Sequence, residues 1–236
     1  MGMPITVEIL DSGVTQKNLD KVWNYFIYVD NKFSTYKKDS EISLINAKKA
    51  NAKLSKDMEE VLKLCEQTKT ETNGYFNIEH NGKLDPSGLV KGWAILNAAA
   101  LIKRSGFKNF YIEAGGDIEV GGKNWTVGIR NPFNVKEIVK VVNLKNQGIA
   151  SSGTYFRGQH VYNPFLPENK IEDIVSLSVI GPNVYEADRF ATAAFAMGKK
   201  GIEFIENLNG FEGYVIDKSG IATMTSGFDN YVQSNS

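Results

Sequence analysis

"NFYIEAGGDIEVGGKNWTVGIR", residues 109–130, decides the fold. Three short runs, "NFYIEA", "DIEVGG" and "WTVGIR", are rich in Ile, Val, Tyr and Trp. Glycine pairs cut them apart, and glycine accepts the backbone angles of tight turns. The stretch therefore reads as strands joined by short connections, which makes neighbours antiparallel. Downstream, "IVKVVNL", "QGIASSGTY" and "IVSLSVIG" continue that texture. "YEADRFATAAFAMG" and "GIEFIENL" are then helical, and "GYVIDKSGIATMT" is a hairpin turning through Lys218, Ser219 and Gly220.

Upstream the pattern changes period. "LDPSGLVKGWAILNAAALIKRSGF" reads as a loop entering a long Ala-rich helix that stops near Gly106. A helix over about Ser55 to Thr72 sets Met58, Val61, Leu62 and Cys65 on one face, with Gly74 as its C-cap. "FSTYKKDSEISLIN" is a loop followed by a short helix or turn. Leu19, Val22, Trp23, Phe26 and Phe33 recur at helical spacing behind a Thr15 cap, and "PITVEIL" is a strand. Helices, then mainly antiparallel strands, then helices again give an α+β chain. No linker or repeat divides it, so one domain over 1–236 is expected.

Composition excludes several classes. Of 236 residues, 27 are Lys or Arg and 27 are Asp or Glu, so no basic field draws nucleic acid. One cysteine, Cys65, allows neither an internal disulfide nor a CxxC metal knuckle. The most apolar stretch, "AILNAAALI", is too short to span a bilayer and is broken by Asn97. "MGMPITVEIL" shows no secretory leader, so a cytoplasmic location is expected, with an exported chain whose leader was removed as the alternative.

Glycine clusters in "DPSGLVKG", "EAGGDIEVGG" and "ASSGTYFRGQH", with Ser, Thr, Lys and His beside them, suggest a phosphate-bearing ligand. The helix after "DPSG" would aim its positive end at that ligand; plain strand-connecting turns are the alternative. Neither a Walker loop nor G-x-G-x-x-G is present. His80, in "IEHNGKL", reads as a solvated surface residue. His160, in "RGQHVYNP", sits among polar groups where it could exchange protons near neutral pH. These two histidines and Cys65 have no zinc-ligand spacing. Asp188 and Thr192 are i and i+4 on one helix face, and two hard oxygens suit Mg²⁺ completed by water and phosphate. The alternative is a capping acid plus a threonine bonded back to its own helix.

Together these segments resemble the ApbE family, the FAD:protein FMN transferases, in order and over nearly the whole chain. "MGMPITV", "FSTYKKDSEISLIN", "TNGYFN", "DPSGLVKGWA", "AGGDI", "ASSGTY", "HVYNP" and "EADRFATAAFAMG" carry the resemblance. It implies two interlocked sheet-and-helix halves with the site between them. It also implies transfer of the FMN part of FAD to a Thr or Ser hydroxyl of a flavoprotein with an S/T-G-A-T-like stretch, releasing AMP. By resemblance, Mg²⁺ would be held by Asp188, Thr192 and the Gly88 carbonyl. FAD contacts would come from Met1, Tyr36, Tyr75, Phe76, Asn77, Asp85, Lys91 and the segment around His160, with polar contacts from Ser152 and Gly153. His160 and Asp188 are the catalytic candidates, His160 as a base or as a diphosphate ligand. The chain departs from the family pattern at Asn77 and Asn163 (usually Asp), Ser87 (Gly), Ser151 (Thr) and Ala191 (Ser). FAD hydrolysis to FMN and AMP, and a non-catalytic FAD carrier, are the competing expectations.

Overall fold

The computed structural model describes residues 2–48, 54–153 and 161–233. In chain order the elements are β1 (Ile5–Ile9), α1 (Gln16–Phe33), α2 (Glu41–Asn46), α3 (Lys56–Glu71), β2 (Glu79–His80), β3 (Lys83–Leu84) and α4 (Ser87–Arg104). Then follow β4 (Phe110–Ala114), β5 (Asp117–Gly121), β6 (Trp125–Arg130), β7 (Ile138–Leu144), β8 (Gly148–Gly153) and β9 (Ile174–Gly181). The chain continues through α5 (Val184–Ala196), α6 (Gly201–Glu206), β10 (Glu212–Asp217) and β11 (Ala222–Met224).

One seven-stranded sheet, ordered β1-β4-β5-β8-β9-β10-β11, organises the molecule, and its neighbours pair antiparallel. Its two faces bury different partners. Phe110, Ile112 and Ala114 face α1, α3 and α4, while Ala150, Leu177, Val179 and Val215 face α5 and α6. From the opposite face Ile118, Val120, Ile149, Ile180 and Ile216 pack on the separate β6–β7 hairpin. Side chains alternate across a strand, so this division follows from register. β5 is buried at every position because both of its faces are covered.

The expected elements form where local chemistry places them. Thr15 caps α1 through a reciprocal box with Asn18, whose Oδ1 accepts from the Thr15 N–H at 3.0 Å. Ser40 and Ser55 cap α2 and α3 by accepting from Ser43 and Met58 N–H groups. The end of α3 differs by one residue from expectation. Asn73 takes the left-handed position at φ 51°, and the Gly74 N–H reaches back to the Lys69 carbonyl at 2.7 Å. Cys65 is buried in the helical core, and burial pushes its thiol up to about 12, as fits a packing residue.

The α4–α5 crossing positions everything that follows. α4 presents Gly88 and Gly92, four residues apart, to Val184, Asp188 and Thr192, each four apart on α5. A Cβ at Gly92 would lie 2.7 Å from the Asp188 Cβ and 2.8 Å from the Val184 carbonyl oxygen. One at Gly88 would lie 2.9 Å from the Thr192 methyl. The glycines of "GLVKG" thus serve close helix approach, and those of "EAGG" turn the β4–β5 hairpin at positive φ. The turn use anticipated as the alternative is present for "EAGG", whereas helix packing by Gly88 and Gly92 was not among the expectations.

Candidate functional site

A cleft of about 1170 Å³ opens beside the α4–α5 crossing. Tyr36, Tyr75, Phe76, Asn77, Asp85, Gly88, Lys91, Ser152, Asp188 and Thr192 all line it. The structure therefore brings most of the expected residues to one cleft. Gly153 lines a neighbouring cavity instead. Met1 and His160 lie outside the described residues.

The Asp188–Thr192 pair behaves as neither half of the bland alternative requires. Asn183 caps α5 by accepting from the Glu186 N–H at 3.0 Å, so Asp188 is not the capping acid. Its Oδ2 accepts instead from the Gly92 N–H of α4 at 2.8 Å. The Thr192 hydroxyl donates to the Gly88 carbonyl, also on α4, at 3.2 Å. Both side chains point across the crossing. Gly88, Asp188 and Thr192 all line the cleft, with the hydroxyl and the carbonyl oxygen in direct contact and the carboxylate one helical turn away on α5.

Charge is concentrated behind them. Lys91 Nζ lies 2.7 Å from Asp117 Oδ2 and 3.8 Å from Asp188 Oδ1. Asp117 is fully buried, and its Oδ1 accepts from the Ser151 N–H at 3.2 Å. Burial raises the Asp188 carboxyl well above the usual range; Lys91 pulls it back down, and the neighbouring Asp117 carboxylate pushes it up. Among the described residues, two buried carboxylates face the Lys91 ammonium, a cluster with more negative than positive charge. Hard oxygens with spare anionic charge are the donor chemistry that Mg²⁺ takes, so the residues present fit that ion. Among the described residues no group of three or more His, Cys, Asp or Glu side chains gathers at one point, so a metal here would need hydroxyl and carbonyl ligands.

The rest of the cleft is aromatic and polar. Phe76 is buried, its N–H donating to the Thr72 hydroxyl at 3.0 Å. Tyr75 meets Phe165 edge-on at 4.9 Å between ring centres. Asp85 Oδ1 accepts from the Ser87 N–H at 3.0 Å, which ties down one N–H at the start of α4 that the "DPSG" reading left for a ligand. Tyr36 is 96 % exposed at the rim.

His80 and Asp117 were not among the site residues expected from the sequence, while Tyr162 falls in the segment around His160 that was expected there. His80 is exposed, as expected, but it is a wall of the cleft on the β2–β3 hairpin, with its ring 4.1 Å from that of Tyr162. Tyr162 in turn donates to the carbonyls of Asn77 and Glu79 at 3.2 and 2.9 Å. Asp117 lay in the quoted "AGGDI", yet only the β4–β5 register turns it towards Lys91.

The sequence profile of the ApbE family matches residues 1–82 and 78–215. The chain belongs to the ApbE family. A relative from Escherichia coli K12, named FAD:protein FMN transferase, is 28% identical over 151 residues, covering 58% of this chain and 43% of that protein. The chain thus spans less than half the length of the curated relatives it matches. Two solved ApbE structures share the fold. The flavin transferase ApbE of Vibrio cholerae superposes with a TM-score of 0.85 at 20% identity, over 98% of this chain and 96% of that one. The ApbE protein of Thermotoga maritima gives 0.86 at 18% identity, over 99% and 97%. The antiparallel α+β arrangement read from the sequence is the ApbE fold.

Proposed function

We propose that this chain transfers the FMN part of FAD to a Ser or Thr hydroxyl of an acceptor flavoprotein, with Mg²⁺ bound by Asp188, Thr192 and the Gly88 carbonyl. The observation that carries the reading is that Gly88, Asp188 and Thr192, with Lys91 beside Asp188, line one cleft large enough for a dinucleotide. The activity in the names of the relatives points the same way. Tyr36, Tyr75 and Tyr162 give flat surfaces for aromatic rings, and Asn77, Asp85 and Ser152 give polar contacts.

The reaction balances simply. The acceptor oxygen forms a bond to the phosphorus on the riboflavin side. The bond from that phosphorus to the bridging oxygen breaks, AMP leaves with the bridging oxygen, and the acceptor proton is released. Held by Asp188, Thr192 and the Gly88 carbonyl, Mg²⁺ would supply neutralisation of the negative charge of the diphosphate. Lys91 holds the Asp188 and Asp117 carboxylates in place and adds positive charge to that end of the cleft. The Gly92 N–H orients Asp188, and the packed crossing excludes water from its buried face. We assign His160 the hydroxyl proton or a diphosphate contact; His160→Ala should keep FAD binding and lose about 10²–10⁴-fold in transfer. Full transfer in that variant would remove the assignment.

The deciding test incubates the chain with FAD, Mg²⁺ and an acceptor peptide. Acceptor gaining one FMN, with AMP released, supports the proposal. Free FMN with AMP would mean hydrolysis, and unchanged FAD a carrier.

A further inference from the structure

A second cavity, of about 420 Å³, lies on the other face of the sheet between the β4–β5 hairpin and the β6–β7 hairpin. It shares Lys91 and Ser151 with the first cleft, so the two spaces meet beside the Asp188–Lys91–Asp117 cluster.

Its outer wall is a strand edge. Every residue from Thr126 to Arg130 lines the cavity, although their side chains alternate between buried and exposed. A strand shows consecutive residues to one space along its edge, since its two faces take alternate residues. Among the described residues β6 pairs with β7 alone, so that edge keeps backbone donors and acceptors for another strand. Part of the lining is open to a backbone: a Cβ at Gly116 would meet nothing within 4 Å, whereas Ile138 covers Gly128 and the Met3 sulfur covers Gly115. Outside, Ile138 is 50 % exposed at the cavity and Phe133 is 59 % exposed on the loop beside it.

We propose that this cavity receives an extended segment of the acceptor protein, added along the β6 edge, which delivers its hydroxyl to the cleft past Lys91 and Ser151. The inference rests on the transfer reading above. Strand addition draws affinity from main-chain hydrogen bonds, and the open space over Gly116 lets an incoming backbone come close there. Two adjoining spaces would let FAD and acceptor be bound together, as an in-line transfer needs.

Thr126→Arg would fill the cavity and Ile138→Glu would charge its rim; both positions are exposed and outside the first cleft. The measurements are the binding of a labelled peptide containing Thr-Gly-Ala-Thr by anisotropy, the KM for that peptide with FAD and Mg²⁺, and the Kd for FAD by flavin fluorescence. Weaker peptide binding and a KM raised at least about tenfold, with FAD affinity unchanged, support docking here. Unchanged peptide affinity in either folded variant overturns it. Loss of FAD affinity overturns it too, by assigning the cavity to the flavin. Wild-type chain that binds peptide without modifying it sinks the transfer reading, while the anisotropy comparison still decides where the peptide binds.

Discussion

Asp188 carries the greatest load of any single residue. It is 3 % exposed, faces another carboxylate, and has Lys91 and the Gly92 N–H as its partners. Asp188→Ala should abolish the response of transfer to added Mg²⁺ and nearly all turnover; an unchanged magnesium titration would contradict the metal assignment. Glu119 tests a different consequence of burial. Its Oε2 accepts from the Val184 N–H at 2.7 Å, yet burial lifts its carboxyl to about 7 from an ordinary 4.5. Between those values the folded chain keeps a proton that the unfolded chain has released. Glu119 therefore costs stability increasingly as pH rises from about 4.5 to about 7, by up to ~3 kcal/mol. Glu119→Gln keeps an acceptor for Val184 and removes the charge. Urea denaturation should find the variant more stable than wild type at pH 8 and equal to it near pH 4.5; parallel pH profiles would refute this. Asp188 and Thr192 were legible because helical spacing alone puts i and i+4 on one face. Asp117 was not, because only strand register turns it towards Lys91.

At the scale of elements, the α4–α5 crossing is the device that makes the site. Gly88 and Gly92 remove the side chains that would hold the helices apart, and the Gly88 carbonyl then meets the Thr192 hydroxyl. Gly92→Ala would press a methyl against backbone atoms of α5, including the Val184 oxygen at 2.8 Å. Overpacking of that kind costs about 1–3 kcal/mol, and here it also shifts Asp188. Chemical denaturation should show that loss, with transfer falling further than stability explains. A variant as stable and active as wild type would mean the helices are not in close register. Caps at Thr15, Ser40 and Ser55 were legible, or would have been, from adjacent residues. The use of Gly92 was not: its partner Asp188 lies 96 positions away, and local sequence cannot distinguish a glycine for a phosphate from a glycine for a helix.

Across the whole molecule, one antiparallel sheet separates two spaces that join at Lys91 and Ser151. The order of elements was legible because strand and helix periods differ and glycines mark the turns. That β6 and β7 leave the main sheet and cover its face was not, since their alternation is the same as that of a sheet member. No helix among the described residues is long and apolar enough to cross a membrane. The central claim is that this architecture moves FMN onto a protein hydroxyl under a divalent cation. Intact-mass measurement of an acceptor incubated with the chain, FAD and Mg²⁺ tests it most directly. The account predicts an acceptor heavier by one FMN phosphoester, equimolar AMP, and neither product when EDTA is present. An acceptor of unchanged mass, with FAD intact or hydrolysed, would contradict it.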